Sequence, residues 1–199
     1  MPPPTPRADA LANRRAILEA ARDVLTEDAA TGSIEQIARR AGVARRTVYG
    51  HFPTREDLVR ALASTLAAEV TEQLAAVPSS DDPLVALTRF VHATSTAAAV
   101  YHPLGPLSRV PVAREELTRS LQQVRQRLVD LLAAAAPRLD MATTPAAAAH
   151  LITAMQWGLL DAVAQGQLAE EDAAGVATRS VLRALGAPTH EVEAVVNGL

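Results

Sequence analysis

The chain has 199 residues, and apolar residues make up 49% of it against 21% charged. That is globular composition, enough for one domain or two small ones. Cysteine is absent, which excludes disulfide staples, thiolate metal ligands and cysteine nucleophiles. Net charge is -3, and all 19 basic residues are arginines. Residues 1–60 hold ten arginines against eight acidic residues, while 61–199 hold nine against fourteen, so the amino-terminal third is the part suited to a polyanion. Alanine fills about a fifth of the chain and aromatics only 3%. Alanine favours helices, and aromatic residues favour strands, so the expected fold class is all-α with nine or ten helices. The opening MPPPTPRADA lacks the apolar core of a signal peptide, and no apolar run has membrane-spanning length. The expectation is a soluble, cytoplasmic protein with no membrane partner.

Residues 1–8 are expected to form a disordered tail, proline-rich as far as Pro6. From Asp9 to about Asp28, Leu11, Leu18, Ala21, Val24 and Leu25 lie on one helical stripe with Ile17 beside it. A loop through Ala29-Ala30-Thr31-Gly32 follows. Ser33 with Gln36 three residues on makes a capping box, and Ile34, Ile37, Ala38 and Ala41 give the second helix one apolar side. Gly42 stops it, since glycine alone adopts the left-handed conformation cheaply. A third short helix runs from about Ala44 to Gly50. Thr54 and Asp57 then cap a helix from Arg55 to about Val77, with Leu58, Leu62, Leu66 (or Ala61 and Thr65) and Val70 inward.

Asp81 or Asp82 caps the next helix, with Pro83 in its first turn, and that helix ends before Pro103. The segment His102–Pro106 is a break. Pro111 restarts the chain, and Leu117, Leu121, Val124, Leu128, Leu131 and Leu132 form one stripe to about Ala136. Thr144-Pro145 opens a helix to about Gln165. Glu170 to Leu185 makes another, closed by Gly186, and a short carboxy-terminal segment follows.

The second and third helices have what a helix–turn–helix requires: a small contact at Ala38, a permissive turn at Gly42, and anchors at Ile37, Val43 and Val48. The spacing alone fits an ordinary αα-corner equally well. Three further signatures separate the two: I-x-x-A-A at Ile17–Ala21, I-x-x-I-A-x-x-A-G-V at Ile34–Val43, and T-V-Y-x-H-F at Thr47–Phe52. With them, residues Ile17–Leu58 resemble the DNA-binding region of the tetracycline-repressor (TetR) family. The loop after the first helix, Asp28-Ala29-Ala30-Thr31, is shorter than the family's and lacks its usual glycine and aromatic, and three single positions also depart from the family pattern. Ala44 stands where serine commonly caps the recognition helix, Gly50 where a larger residue is usual, and Arg55 where lysine is usual.

The resemblance implies a three-helix helix–turn–helix domain over 9–60 and a helical effector-binding and dimerisation domain over 61–199. It implies a repressor that binds a palindromic DNA operator as a homodimer and is released by a small, lipophilic effector. Arg45, Arg46 and Thr47 would face bases, and Ser33, Tyr49, His51 and Arg55 would hold phosphates. Phe90, His92, Tyr101, His102, Gln156 and Trp157 are the candidate ligand contacts, and Leu151, Met155, Leu159, Val181 and Leu185 the candidate dimer contacts. No cofactor and no metal are expected. The sequence has no Gly-rich phosphate loop, no H-E-x-x-H pair and no G-x-S-x-G elbow, so an enzyme is not expected. The competing reading is a helical small-molecule carrier with no DNA-binding role.

Overall fold

The computed structural model describes residues 6–27, 32–100, 107 and 110–198, with side chains at 6–8, 27, 99, 100 and 160 left aside. Among the described residues there are ten α-helices and no strands: α1 (Pro6–Glu27), α2 (Ile34–Arg40), α3 (Arg45–His51), α4 (Arg55–Ala75), α5 (Pro83–Val100), α6 (Pro111–Ser120), α7 (Gln122–Ala135), α8 (Pro145–Ala164), α9 (Glu170–Ala184) and α10 (Thr189–Val196). A single 3₁₀ turn, Ala136–Arg138, follows α7. None of these helices is long and apolar enough to cross a membrane.

The chain divides into two compact units. One holds residues 1–68 and 103–120, the other 69–102 and 121–199. In the first unit, α1 packs on α2 and α3. Ile17, Ala21, Leu25, Ile37, Ala38, Val48, Phe52, Leu58 and Leu62 are all buried. Two expectations for α1 need correcting. It begins at Pro6 rather than Asp9, because proline at a first helical position gives up an N–H that had no partner anyway. Its inner face centres on Ile17, Ala20, Ala21, Val24 and Leu25, leaving Leu11 64% exposed.

In the second unit, α5 is the central element, in contact with α7, α8, α9 and α10. Leu84, Leu87, Phe90 and Val91 of α5 join Leu128 and Leu132 of α7, Ile152 of α8 and Leu182 of α9 in one core. Asp82 caps α5: its Oδ1 accepts from the N–H groups of Leu84 (2.8 Å) and Val85 (3.2 Å). Arg138 ties that cap down, with Nη1 2.7 Å from both Asp82 oxygens and Nη2 on Glu191 of α10. The hydrogen bond from Arg138 is the first cause that holds the Asp82 carboxyl below its ordinary range.

The expected single helix from Pro111 to Ala136 is two. The backbone at Leu121 (φ -90°, ψ 11°) leaves helical values, ending α6 at Ser120 and starting α7 at Gln122 with no side-chain cap. Neither glycine nor proline marks the break. It falls where the chain passes from one compact unit to the other.

Candidate nucleic-acid interface

The turn between α2 and α3 is a complete Schellman motif. Gly42 adopts φ +67°, its N–H donates to Arg39 O (3.3 Å), and Val43 N–H reaches back to Ala38 O (3.0 Å). At the other end of α2, Ser33 Oγ accepts from Gln36 N–H (3.2 Å) while Gln36 Oε1 accepts from Ser33 N–H (2.7 Å). Both ends of this seven-residue helix are thereby fixed by local hydrogen bonds, where its length alone would not sustain it.

α3 is held differently. Ala44 has the extended backbone of an N-cap (φ -72°, ψ 148°) but no side-chain hydrogen bond. The helix depends on Val48, fully buried, and on Phe52 just past its end, 2% exposed. Arg14 of α1 lies over the Phe52 ring with its guanidinium carbon 4.9 Å from the centroid. A cation–π contact at an exposed site adds roughly 0.5–1 kcal/mol. The sequence reading missed this clasp, because stacking of α1 on the end of α3 has no local signature. After Phe52 the chain turns and α4 starts in a second reciprocal cap. Asp57 N–H donates to Thr54 Oγ1 (3.0 Å), and Thr54 N–H donates to Asp57 Oδ2 (3.2 Å). The Thr54 hydroxyl also donates to Asp57 (2.8 Å), the first cause that lowers the Asp57 carboxyl below its usual range.

The outward side of α3 carries Arg45 and Arg46, both exposed, Tyr49, 39% exposed, and Thr47, partly buried. Arg45 lies against Tyr49: Nη2 donates to the phenol oxygen at 3.4 Å, and the guanidinium carbon is 5.5 Å from the ring centroid. That hydrogen bond raises the Arg45 guanidinium above its ordinary value. His51 is partly buried, its ring tilted 48° to that of Phe52 at 6.3 Å. Arg55 Nε donates to Gly32 O at 3.3 Å, which brings its guanidinium beside Ser33 at the start of α2.

The structure thus ties Arg55 to Gly32, the residue before Ser33, and Arg45 to Tyr49, while Arg46 stands apart. Three other arginines of this unit are paired within the protein: Arg15 with Glu19, Arg40 with Asp23 and Arg60 with Asp57, each at 2.9 Å. Arg14, Arg39, Arg45 and Arg46 form no ion pair among the described residues. The result is a helix–turn–helix with uncompensated positive charge on its second helix.

Residues 17–62 match the model for bacterial regulatory proteins of the tetR family. The helix–turn–helix region is thus similar to that of the TetR family. Over the same region, the chain is 54% identical over 50 residues to the HTH-type transcriptional repressor LfrR of Mycolicibacterium smegmatis. That match spans 25% of this chain and about a quarter (26%) of LfrR. Over the rest of the chain the likeness is one of fold. The fatty acid degradation regulator FadR from Bacillus halodurans superposes with TM-score 0.72 at 16% identity, over 91% of this chain and 97% of that one. FadR from Bacillus subtilis in complex with stearoyl-CoA gives 0.69 at 18%, over 86% and 97%.

The other predicted site residues lie in the second compact unit. Phe90 is 1% exposed inside the core, and Arg127 sits over its ring at 4.9 Å, so this ring is packing rather than an open wall. Gln156 of α8 donates to Thr94 Oγ1 of α5. His92 Nδ1 lies 3.3 Å from Thr178 Oγ1 of α9. The Thr178 proton goes to Ala174 O (2.6 Å), so its oxygen accepts from His92 and Nδ1 carries the imidazole proton. Burial, and then the Arg179 charge, hold His92 below its ordinary pKa. These contacts make a polar seam joining α5 to α8 and α9. Thr94 and Thr178, half of the seam, carried no signal in the sequence, since a threonine satisfied by its own helix looks like any other. Tyr101 and His102 lie outside the described residues.

Trp157 is 39% exposed. Of the predicted dimer contacts, Leu151 (58%) and Met155 (40%) are exposed on α8, but Leu159 (7%), Val181 (1%) and Leu185 (7%) are buried within their own unit. Those three spend their apolar surface inside the protomer. Val176 of α9, 39% exposed, is outward instead.

Proposed function

We propose that the chain is a ligand-responsive transcriptional regulator, a repressor that binds a palindromic DNA operator as a homodimer and is released by a small lipophilic effector. The observation that carries this reading is the pair of exposed arginines, free of carboxylate partners, on the second helix of a TetR-family helix–turn–helix. Base contacts come from α3, and phosphate contacts from Ser33, Tyr49, His51 and Arg55. Residues 9–60 act as the reading domain, and residues 61–199 bind the effector and dimerise. The chain works by binding rather than catalysis.

Dimerisation is supported by α8. Leu151, Ala154, Met155 and Gly158 are all exposed and fall at i, i+3, i+4 and i+7, an apolar stripe on one face. A single short reading helix recognises too few base pairs alone, so a twofold partner reading a second half-site fits the same stripe. For the effector, the polar seam of His92, Gln156, Thr94 and Thr178 supplies orienting hydrogen bonds among apolar helices. A lipophilic effector accords with the stearoyl-CoA bound to the B. subtilis FadR. Such a ligand needs only to favour one of two conformations by about 1–3 kcal/mol to change DNA affinity about 5- to 150-fold.

The test is fluorescence anisotropy of the full chain with labelled duplexes, including the DNA upstream of its own gene, across a salt series. The expected result is binding that weakens steeply with salt yet survives nonspecific competitor on one duplex. A chain that ignores all duplexes at low salt but is stabilised by hydrophobic ligands is a helical carrier instead.

A further inference from the structure

Arg45 and Arg46 are neighbours of one type on the first turn of α3. What lies one helical turn beyond each distinguishes them. Tyr49 follows Arg45 at i+4, and Gly50 follows Arg46 at i+4. Helical side chains lean toward the amino terminus, so Tyr49 lies back against Arg45, with the phenol oxygen 3.4 Å from Nη2. Because that oxygen accepts from Arg45, the phenol proton remains to be donated outward, next to the unused guanidinium N–H groups. Two donors side by side, one of them charged, fit a phosphate oxygen, which looks the same at every base pair.

Arg46 differs on each count. It has no hydrogen-bond, ion-pair or ring partner among the described residues, and it is exposed. A Cβ built on Gly50 would meet nothing within 4 Å, so the flank beyond Arg46 is open. Its whole fork of donors is available for the O6 and N7 edge of a guanine. Glycine at position 50 leaves this flank of α3 without a side chain.

We infer that the adjacent arginines divide the work. Arg45 and Tyr49 clamp one DNA phosphate as a unit, Arg46 reads a base, and Gly50 is the clearance that lets it do so. This assignment rests on the DNA-binding reading above and narrows the base contacts expected from the sequence, where Arg45 and Arg46 were equivalent.

The experiment selects duplexes from a randomised pool with the wild-type chain, then with Arg45→Ala, Tyr49→Phe, Arg46→Ala and Gly50→Ala. Salt-dependent affinities are measured on the selected duplex and on a scrambled one. Arg45→Ala is expected to keep the selected consensus, weaken both duplexes by a similar factor, and lower the salt slope by about 1. Tyr49→Phe should weaken both duplexes too, and its effect should shrink when Arg45 is already alanine. Arg46→Ala should lose one consensus position per half-site, with affinity for the selected duplex falling about 5- to 150-fold.

Gly50→Ala should increase amide-exchange protection of α3, since alanine favours helix, and still bind the selected duplex less tightly. Tighter or unchanged binding removes the clearance role. A consensus altered by Arg45→Ala, or an unchanged salt slope, overturns the clamp. A wild-type chain that enriches no duplex and binds none at low salt overturns the DNA-binding reading itself, a different result from any of these.

Discussion

Three described glycines, Gly42, Gly166 and Gly186, have left-handed backbones, and the surroundings of the first and last rank those two. Gly42 (φ +67°) has nothing within 4 Å of an added Cβ, whereas at Gly186 (φ +73°) that atom would lie 2.7 Å from Asp140 Cβ and from the Asp140 carbonyl oxygen. Gly42→Ala is therefore expected to cost only the conformational strain, about 1–2 kcal/mol. Gly186→Ala adds a backbone displacement worth roughly 1–3 kcal/mol more. Urea melting of the two variants should show the larger loss at 186, and equal losses would refute the close approach to Asp140.

His92 makes the fold sensitive to acid. The unfolded imidazole takes its proton near its ordinary 6.5, while burial and then Arg179 hold the folded group lower. Below 6.5 the unfolded state thus binds more protons at this position, and stability drops as pH falls toward the folded value. His92→Asn keeps a donor for Thr178 but does not titrate. Between about pH 7.5 and pH 5.5 the wild type should lose more melting temperature than this variant, and parallel curves would remove His92 from the account.

The short elements α2 and α3 differ in how they are secured, and this has a measurable consequence. α2 has a reciprocal cap and a Schellman stop, but α3 starts at an uncapped Ala44 already in the extended conformation that an N-cap needs. Ala44→Ser should supply the missing acceptor and stabilise α3 by about 1 kcal/mol. That corresponds to roughly fivefold slower amide exchange in α3 if the amides open locally. No change in exchange would mean that burial of Val48 and Phe52, with Arg14 over the ring, already holds the helix closed. The caps at Ser33, Thr54, Asp82 and Thr144 all reside in side chains within three residues of the groups they satisfy, which is why they could be read from the sequence.

For the molecule as a whole, the exposed stripe on α8 is the face that the proposed dimer would use. If Leu151 and Met155 meet a second copy, replacing both by glutamate buries two charges without partners and should convert the protein to monomer in light scattering. Operator affinity should fall with it, since each protomer carries one reading helix. A dimer that survives both substitutions would move the contact elsewhere, with Val176 of α9 the next exposed apolar position.

The all-α class, the helix starts that carry a side-chain cap, the glycine stops and the helix–turn–helix of α2 and α3 could be deduced from residue order. Each rests on hydrogen bonds and steric limits that act over about four residues. Three features could not be. The stripe from Leu117 to Leu132 shows no breaker, yet the helix breaks at Leu121, where the chain passes from one compact unit to the other. α8 is apolar nearly all round, so periodicity could not say that Leu159 turns inward while Leu151 and Met155 stay outside. Arg45 and Arg46 were indistinguishable until the stack on Tyr49 set one aside. In each case the deciding contact comes from a neighbouring element or from side-chain geometry, and it exists once the chain has folded.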